Sequence, residues 1–312
     1  MIVRLRGVDI NVETHAIDSG GPTLVFIHGF GASLRTWDRL TPALAAMHSW
    51  LSLDLKGFGL SGHPRDDQYS IDENAELVAE LVARQRLRRV VLVGHSYGGA
   101  VAIIAAIKLR NGSAARVDGL VLIDAAAYEQ RLPFFVEFLR HRVTRWLSGL
   151  TSVERGTRTV LRALFVDKSL VDDAMVERYA FPRRIPGSDY ASAQTALQIL
   201  PQSFAAVTRA IQSIDVPTQI IWGERDRAVP LAFAHRLHQD IAGSRQHVLE
   251  RVGHMESVGS FGWAGAYGTT YRVDPKTKTV TVMMIQMLPN TTGIAERFSA
   301  TLYQSLLDSP GK

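Results

Sequence analysis

A serine set between glycines, in Gly94-His95-Ser96-Tyr97-Gly98-Gly99, is where residue types and spacing in this chain could do covalent chemistry. It follows the apolar run Val90-Val91-Leu92-Val93 and precedes a stretch rich in Ala and Ile, so the spacing predicts a strand, a sharp turn and a helix. Glycines on both sides permit the close backbone packing that lifts the Ser96 hydroxyl into a cleft. The plain structural alternative is a serine capping a helix beside packing glycines. Motif and context together favour a nucleophile.

A serine hydroxyl needs a base, and the base needs an orienting carboxylate. Asp226 lies in Gly223-Glu224-Arg225-Asp226-Arg227-Ala228-Val229-Pro230, just after a predicted strand, and His254 follows Gly253 after the next one. The order Ser96, Asp226, His254 is one that serine triads use. Glu224 is a competing acid, but it directly follows the strand and is read as a contact to the neighbouring loop. Of the other histidines, His95 is locked beside the nucleophile and His141 falls in a predicted helix. His235, His238 and His247 fall in or next to other predicted elements. The loop Phe26-Ile27-His28-Gly29-Phe30-Gly31-Ala32-Ser33 can aim a backbone N–H at the cleft, so the N–H groups of Phe30 and Tyr97 are the expected oxyanion hole. Asp54-Leu55-Lys56-Gly57-Phe58-Gly59-Leu60-Ser61 is assigned a structural role.

The elements that must hold these residues alternate. Two short strands around Gly7 span residues 2 to 17, and strands follow at 24–27, 50–53, 90–93 and 120–123. Helices are predicted over 37–47, 71–86 and 97–109. Continuous apolar strands alternating with amphipathic helices imply an α/β fold with a mostly parallel sheet covered on both faces. Between 128 and 210 the alternation stops. Helices are expected at 132–147, 152–165, 170–179 and 191–210, which makes 128–210 a helical lid over a core formed by 1–127 and 211–256. Strand, helix and strand resume at 218–222, 231–241 and 247–249. Beyond 257 a hairpin of 267–273 and 280–287, turning at Asp274-Pro275-Lys276-Thr277, and a helix at 294–307 make a C-terminal appendage.

Composition narrows the function classes. Of 312 residues, 46% are hydrophobic, enough for a full-sized core, and cysteine is absent, which removes a thiol nucleophile, a disulfide framework and a Cys-based metal site. No cofactor or metal motif is read. The formal charge of +5, from 35 basic and 30 acidic residues, comes without a basic run interleaved with aromatics, so specific nucleic-acid binding is not expected. Met1 to Asn11 alternates short apolar and charged residues, and the expectation is a cytoplasmic protein with no signal or transmembrane segment.

On Gly94-His95-Ser96-Tyr97-Gly98-Gly99, His28-Gly29-Phe30-Gly31, Asp54-x-x-Gly57-x-Gly59-x-Ser61, Gly223-x-x-Asp226-x-x-x-Pro230 and Gly253-His254, the chain resembles the α/β-hydrolase family over residues 1–256. Its lid-bearing members include esterases, carbon–carbon bond hydrolases, haloperoxidase-like perhydrolases and epoxide hydrolases. Epoxide hydrolases of that family use an aspartate nucleophile, so Ser96 disfavours their chemistry. The resemblance implies a carboxylesterase-like serine hydrolase acting on a small hydrophobic ester, with carbon–carbon hydrolysis or perhydrolysis by the same triad as the alternative and a non-enzymatic binding protein as the rival from another class. Phe134, Phe135, Phe138, Trp146, Leu150, Phe165 and Phe181 supply apolar lid material, and ten arginines between Tyr128 and Phe204 are read mainly as solvated surface.

Residues 259–312 resemble a C-terminal fragment of the serine β-lactamase and penicillin-binding-like esterase family, on Trp263-x-Gly265, the Asp274-Pro275 turn and the closing helix. That family's Ser-x-x-Lys spacing occurs here only at Ser309 to Lys312, and its Tyr-x-Asn element is absent, so no second active site is expected. The segment then reads as a fusion or chimera carrying a structural remnant, as a substitute for the family's last helix or a homodimer contact, or as accidental convergence.

Overall fold

Apolar runs with no polar alternation need cover on both faces, and the computed structural model places them in the middle of one sheet. It describes residues 1–17, 20–112, 114–148, 151–201, 203–255, 261–264, 270–274 and 279–283. The chain divides into two compact units, Met1–Val258 and Gly259–Lys312.

In the first unit the strands are β1 (Ile2–Leu5), β2 (Val8–His15), β3 (Thr23–Ile27), β4 (Trp50–Leu53), β5 (Arg89–His95), β6 (Arg116–Ile123), β7 (Thr218–Gly223) and β8 (Arg245–Leu249). They form an eight-stranded sheet in the order β1-β2-β4-β3-β5-β6-β7-β8. β2 pairs antiparallel with β1 and β4, and every other pair is parallel. This is the α/β-hydrolase architecture expected from the motifs.

The helices are α1 (Thr41–Leu44), α2 (Ile71–Arg84), α3 (Tyr97–Gly112), α4 (Phe134–Arg140), α5 (Arg142–Ser148), α6 (Val153–Leu164), α7 (Asp173–Ala180), α8 (Ser188–Gln198), α9 (Phe204–Gln212) and α10 (Ala232–Asp240). Ser70 caps α2 by accepting a hydrogen bond from the Glu73 N–H, and Leu77, Val78, Leu81 and Val82 form its buried face. α3 is apolar nearly all round because it is covered on several sides: it packs against α2, α9, β5 and β6.

Three predicted helices are shorter or interrupted. The helix expected over 37–47 resolves into a 3-10 turn, Leu34–Trp37, and the short α1, which starts at Thr41-Pro42, where proline is tolerated only in a first turn. The helix expected over 132–147 begins after Pro133 and breaks at His141, whose backbone is extended (φ −98°, ψ 131°). The helix expected over 191–210 is two helices, because Pro201 lacks an N–H and disfavours helical backbone at Leu200. Between β6 and β7 the described elements are therefore helices and 3-10 turns, α4 through α9.

The second unit contains β9 (Phe261–Ala264), β10 (Thr270–Asp274) and β11 (Thr279–Met283), an antiparallel sheet in the order β11-β10-β9. Tyr271 stands opposite Trp263 on one side and Val282 on the other. β9 was not foreseen, since Gly262 weakens the strand pattern. The helix expected at 294–307 and Gly265 lie outside the described residues. No described helix is long and apolar enough to cross a membrane.

Candidate active site

At the end of β5 the chain must turn from strand to helix within a residue or two, and Ser96 takes the strain, with φ +54°. The neighbouring glycines show why. A Cβ on Gly94 would stand 2.4 Å from the Gly98 carbonyl oxygen, and one on Gly98 would stand 2.3 Å from the carbonyl oxygens of Ile27 and His28. No side chain fits either place, because the obstacles are backbone. The turn is tied to the adjacent strand by Ser96 N–H donating to Ile123 O at 2.9 Å.

Ser96, His254 and Asp226 come together although 158 and 28 residues separate them along the chain. Ser96 Oγ lies 2.9 Å from His254 Nε2, and His254 Nδ1 lies 2.7 Å from Asp226 Oδ2. With a carboxylate at Nδ1, the imidazole donates there and accepts the Ser96 hydroxyl proton at Nε2. Asp226 Oδ1 accepts from the N–H groups of Ala228 at 2.6 Å and Val229 at 2.9 Å, which fixes the carboxylate plane. Burial alone would raise the Asp226 carboxyl; His254 and these two N–H groups outweigh it and hold the carboxyl below its ordinary range. The side chains of His254 and Asp226 are shielded from solvent.

The histidine loop is held from three sides. Glu224, the rival acid, accepts the Arg251 N–H at 2.9 Å and so contacts this loop rather than the imidazole. Arg225 N–H donates to Val252 O at 2.9 Å. His95 Nε2 donates to the His254 carbonyl oxygen at 3.0 Å, and the two rings lie 4.8 Å apart. Burial, with His254 adding to it, lowers His95 to about 3, so this ring is neutral. Sequence reasoning excluded His95 as the base but missed this supporting contact, which spans 159 residues and leaves no local signature.

The loop that carries Phe30, expected from the sequence to supply an oxyanion-hole donor, is built on Asp54 and His28. Asp54 Oδ1 accepts the Leu34 N–H at 2.7 Å, and Oδ2 accepts from Leu60 N–H and Asn11 Nδ2, both at 2.8 Å. His28 donates from Nδ1 to Gly29 O at 2.8 Å and accepts the Leu55 N–H at Nε2 at 3.0 Å. Burial lowers His28 and keeps it uncharged. The loop passes close to Ser96: a Cβ on Gly29 would sit 3.1 Å from Ser96 Cβ. Phe30 and Tyr97 border the same cleft as Ser96, and Tyr97 opens α3, where N–H groups lack intrahelical acceptors.

The cleft beside Ser96 encloses a cavity of about 70 Å³ and is walled mainly by apolar side chains from the β6–α4 segment, α3, α9 and the Ala228-Val229 turn. Among the described residues no Lys or Arg lines it, and Asp72 is its one acidic lining residue. Of the aromatic residues expected in the lid, Phe135 lines it, while Phe134, Phe138 and Phe181 are exposed and Phe165 is buried against Leu161 and Val176. The side chains of Trp146 and Leu150 lie outside the described set. His95, Asp124 and His254 bring donor atoms within 4.8 Å of one another, but a cation there would compete with the hydrogen bonds that tie His254 to Ser96 and Asp226.

A profile of the alpha/beta hydrolase family matches residues 24–259, the span that supplies every element of this site. The chain belongs to that family. It is 30% identical over 264 residues to the 2-hydroxy-6-oxo-2,4-heptadienoate hydrolase of Pseudomonas putida, covering 82% of this chain and 90% of that one. It is 29% identical over 271 residues to an uncharacterized hydrolase of Bacillus subtilis, YugF, covering 80% and 89%. Among solved structures it matches an alpha/beta hydrolase fold protein from Burkholderia ambifaria with a TM-score of 0.71 and 25% identity, over 82% of this chain and 92% of that one. The hydrolase profile stops at residue 259, where the second unit begins.

Proposed function

We propose that this hydrolase cleaves carboxylic esters bearing an apolar acyl or alcohol group, through an acyl-enzyme on Ser96. The observation that carries this reading is the cleft: it is apolar, it abuts Ser96, and no cationic side chain borders it among the described residues. Ser96 Oγ attacks the ester carbonyl carbon while its proton passes to His254 Nε2, and the Phe30 and Tyr97 N–H groups hold the oxyanion. Collapse breaks the ester C–O bond, and His254 returns the proton to the leaving oxygen. Water then attacks the acyl-enzyme, losing a proton to His254, and Ser96 leaves with the proton restored. Asp226 keeps the imidazole in the tautomer both steps need. Each oxyanion donor contributes about 3 kcal/mol to barrier lowering.

The second reading, carbon–carbon hydrolysis by the same triad, is favoured by the identity to the heptadienoate hydrolase. That substrate is by name a carboxylate. Placing an unpaired carboxylate against this apolar wall carries a steep desolvation cost, which an uncharged ester does not meet. The test is turnover of short aryl esters and of an anionic dienoate by wild type and Ser96→Ala. Ester turnover that vanishes in the variant supports the proposal. Equal ester turnover by both proteins overturns the Ser96 mechanism, and a higher kcat/KM for the dienoate overturns the ester assignment.

We also infer that residues 257–312 are a segment of different origin with a structural role, akin to a β-lactamase-like C-terminal fragment. Supporting this are the end of the hydrolase profile at residue 259 and the separate antiparallel sheet of β9, β10 and β11. Truncation after Ser257 should change thermal stability or the number of subunits in solution; a loss of rate with neither changed would sink it.

A further inference from the structure

The residues that line the cleft beside Ser96 include a run along one helix. Tyr97, Ala100, Ile103 and Ile104 all border it from α3, so it follows one face of that helix for about two turns, roughly 10 Å from the nucleophile at 1.5 Å per residue. Phe204 and Val207, one turn apart on α9, also line it, and α9 packs on α3. The channel extends to the start of α2, where Asp72 borders it. There Asp72 faces solvent with 70% of its side chain exposed, 3.6 Å from Lys108 Nζ. One end of the channel is thus Ser96 and the other reaches the surface.

The chemistry decides which arm of an ester enters. The leaving oxygen must take its proton from His254 Nε2, which lies 2.9 Å from Ser96 Oγ, so the leaving arm belongs on the histidine side. The acyl arm is the one left to run along α3. We propose that this channel is an open-ended subsite for an unbranched acyl chain, with Ile104 and Val207 grading chains of up to about eight carbons. That length follows from C–C bonds of about 1.5 Å in zigzag over the roughly 10 Å span. The proposal rests on the esterase reading of Ser96 and adds a length preference to it.

A chain carbon that moves from water into this wall gains up to about fourfold in kcat/KM, the equivalent of one buried methylene. Because the far end opens to solvent, carbons beyond the eighth gain nothing and lose nothing. The experiment measures kcat/KM for para-nitrophenyl alkanoates from two to twelve carbons, and for alkyl acetates with the alcohol lengthened over the same range. The expected result is a rise to about eight carbons followed by a plateau in the alkanoate series alone. Ile104→Phe should lower the eight-to-two carbon ratio of kcat/KM about tenfold, and Val207→Phe should do the same from α9. Both positions are half-buried, and circular dichroism identifies a variant that has not folded, in which case the other carries the test.

A flat alkanoate profile, a fall beyond eight carbons, a length preference in the alcohol series, or ratios unmoved in folded variants each overturn the channel assignment while leaving the esterase reading intact. Absence of turnover on every ester of both series overturns the esterase reading, and the channel proposal falls with it.

Discussion

The loops at the C-terminal edge of the sheet and the helical segment between β6 and β7 are built to opposite standards. In the loops, polar groups are buried and held mainly by backbone: Asp54 by the N–H groups of Leu34 and Leu60, Asp226 by those of Ala228 and Val229, and His28 by Leu55 N–H and Gly29 O. In the helices, Phe134 is 55% exposed and Val143 70%, and ion pairs such as Arg184 with Glu154 and Glu177 lie at the surface. Backbone partners cannot change rotamer, so the loops can keep atoms in place to within a fraction of an ångström. Exposed pairs and half-buried apolar faces can shift at low cost. The difference suggests that reaction chemistry depends on the loops and substrate choice on the helices.

The largest test of that division compares two acids on one turn. Asp226→Asn should lower kcat about 10⁴-fold, because an amide at this place stabilises the wrong imidazole tautomer. Glu224→Gln keeps an oxygen for the Arg251 N–H and should lose less than about tenfold. Steady-state kinetics on one aryl ester reads both. Equal losses would mean that Glu224 shares the orienting role and that the three-residue site is drawn too narrowly.

A second test is a stability effect with a purely geometric cause. In Gly98→Ala the new methyl would meet two carbonyl oxygens at 2.3 Å, far inside van der Waals contact, and neither strand-end oxygen can turn away. The cost should reach about 3 kcal/mol, lowering Tm by roughly 10 °C in a unit of this size. An alanine variant with unchanged Tm would show that the turn is far softer than its packing implies.

These loops were also the most legible part of the sequence, and for the same reason. Gly94 and Gly98 are glycine because nothing else fits, so a geometric requirement is printed locally; Ser96, Asp226 and His254 each follow a strand at short distance, so the strand pattern locates them. The helices between β6 and β7 were legible as helices but not in their breaks. His141 carries no breaking signal of its own, and Pro201 was overridden by the apolar periodicity on both sides of it. The supporting contact from His95 to His254 O was invisible, since a hydrogen bond between a side chain and a distant backbone oxygen constrains neither neighbourhood.

That contact predicts a third, smaller effect. His95→Phe keeps a ring beside His254 but loses the donor to its carbonyl oxygen, and kcat should fall about tenfold with KM little changed. His95→Gln, which retains an N–H donor, should recover part of the loss. A passive packing role would show no such rescue. The pH dependence of stability offers a separate reading. His95 sits near 3 when folded against an ordinary value of 6.5, so between these values the unfolded chain binds more protons there. Its contribution is fully present above 6.5 and is lost as pH falls toward 3. His95→Gln should flatten the slope of unfolding free energy from pH 6.5 to 4, measured by urea titration, and an unchanged slope would mean that His95 is charged or exposed in the folded protein.

The smallest expected effect bears on the other side of the comparison. Arg184 joins Glu154 of α6 to Glu177 of α7 entirely at the surface, where solvent screens the attraction and two long side chains must be ordered to make it. Arg184→Met should therefore leave kcat/KM for a short ester within twofold and Tm nearly unmoved, and raising ionic strength should act on wild type and variant alike. If kcat dropped tenfold while KM held, the exposed network would be transmitting position to Ser96, His254 and Asp226, and the helices could not be treated as a selectivity layer separate from the chemistry. If only KM for long acyl chains rose, the division would stand and become sharper, because a change in the helices would then be read in the channel along α3 and nowhere in the bond-breaking step.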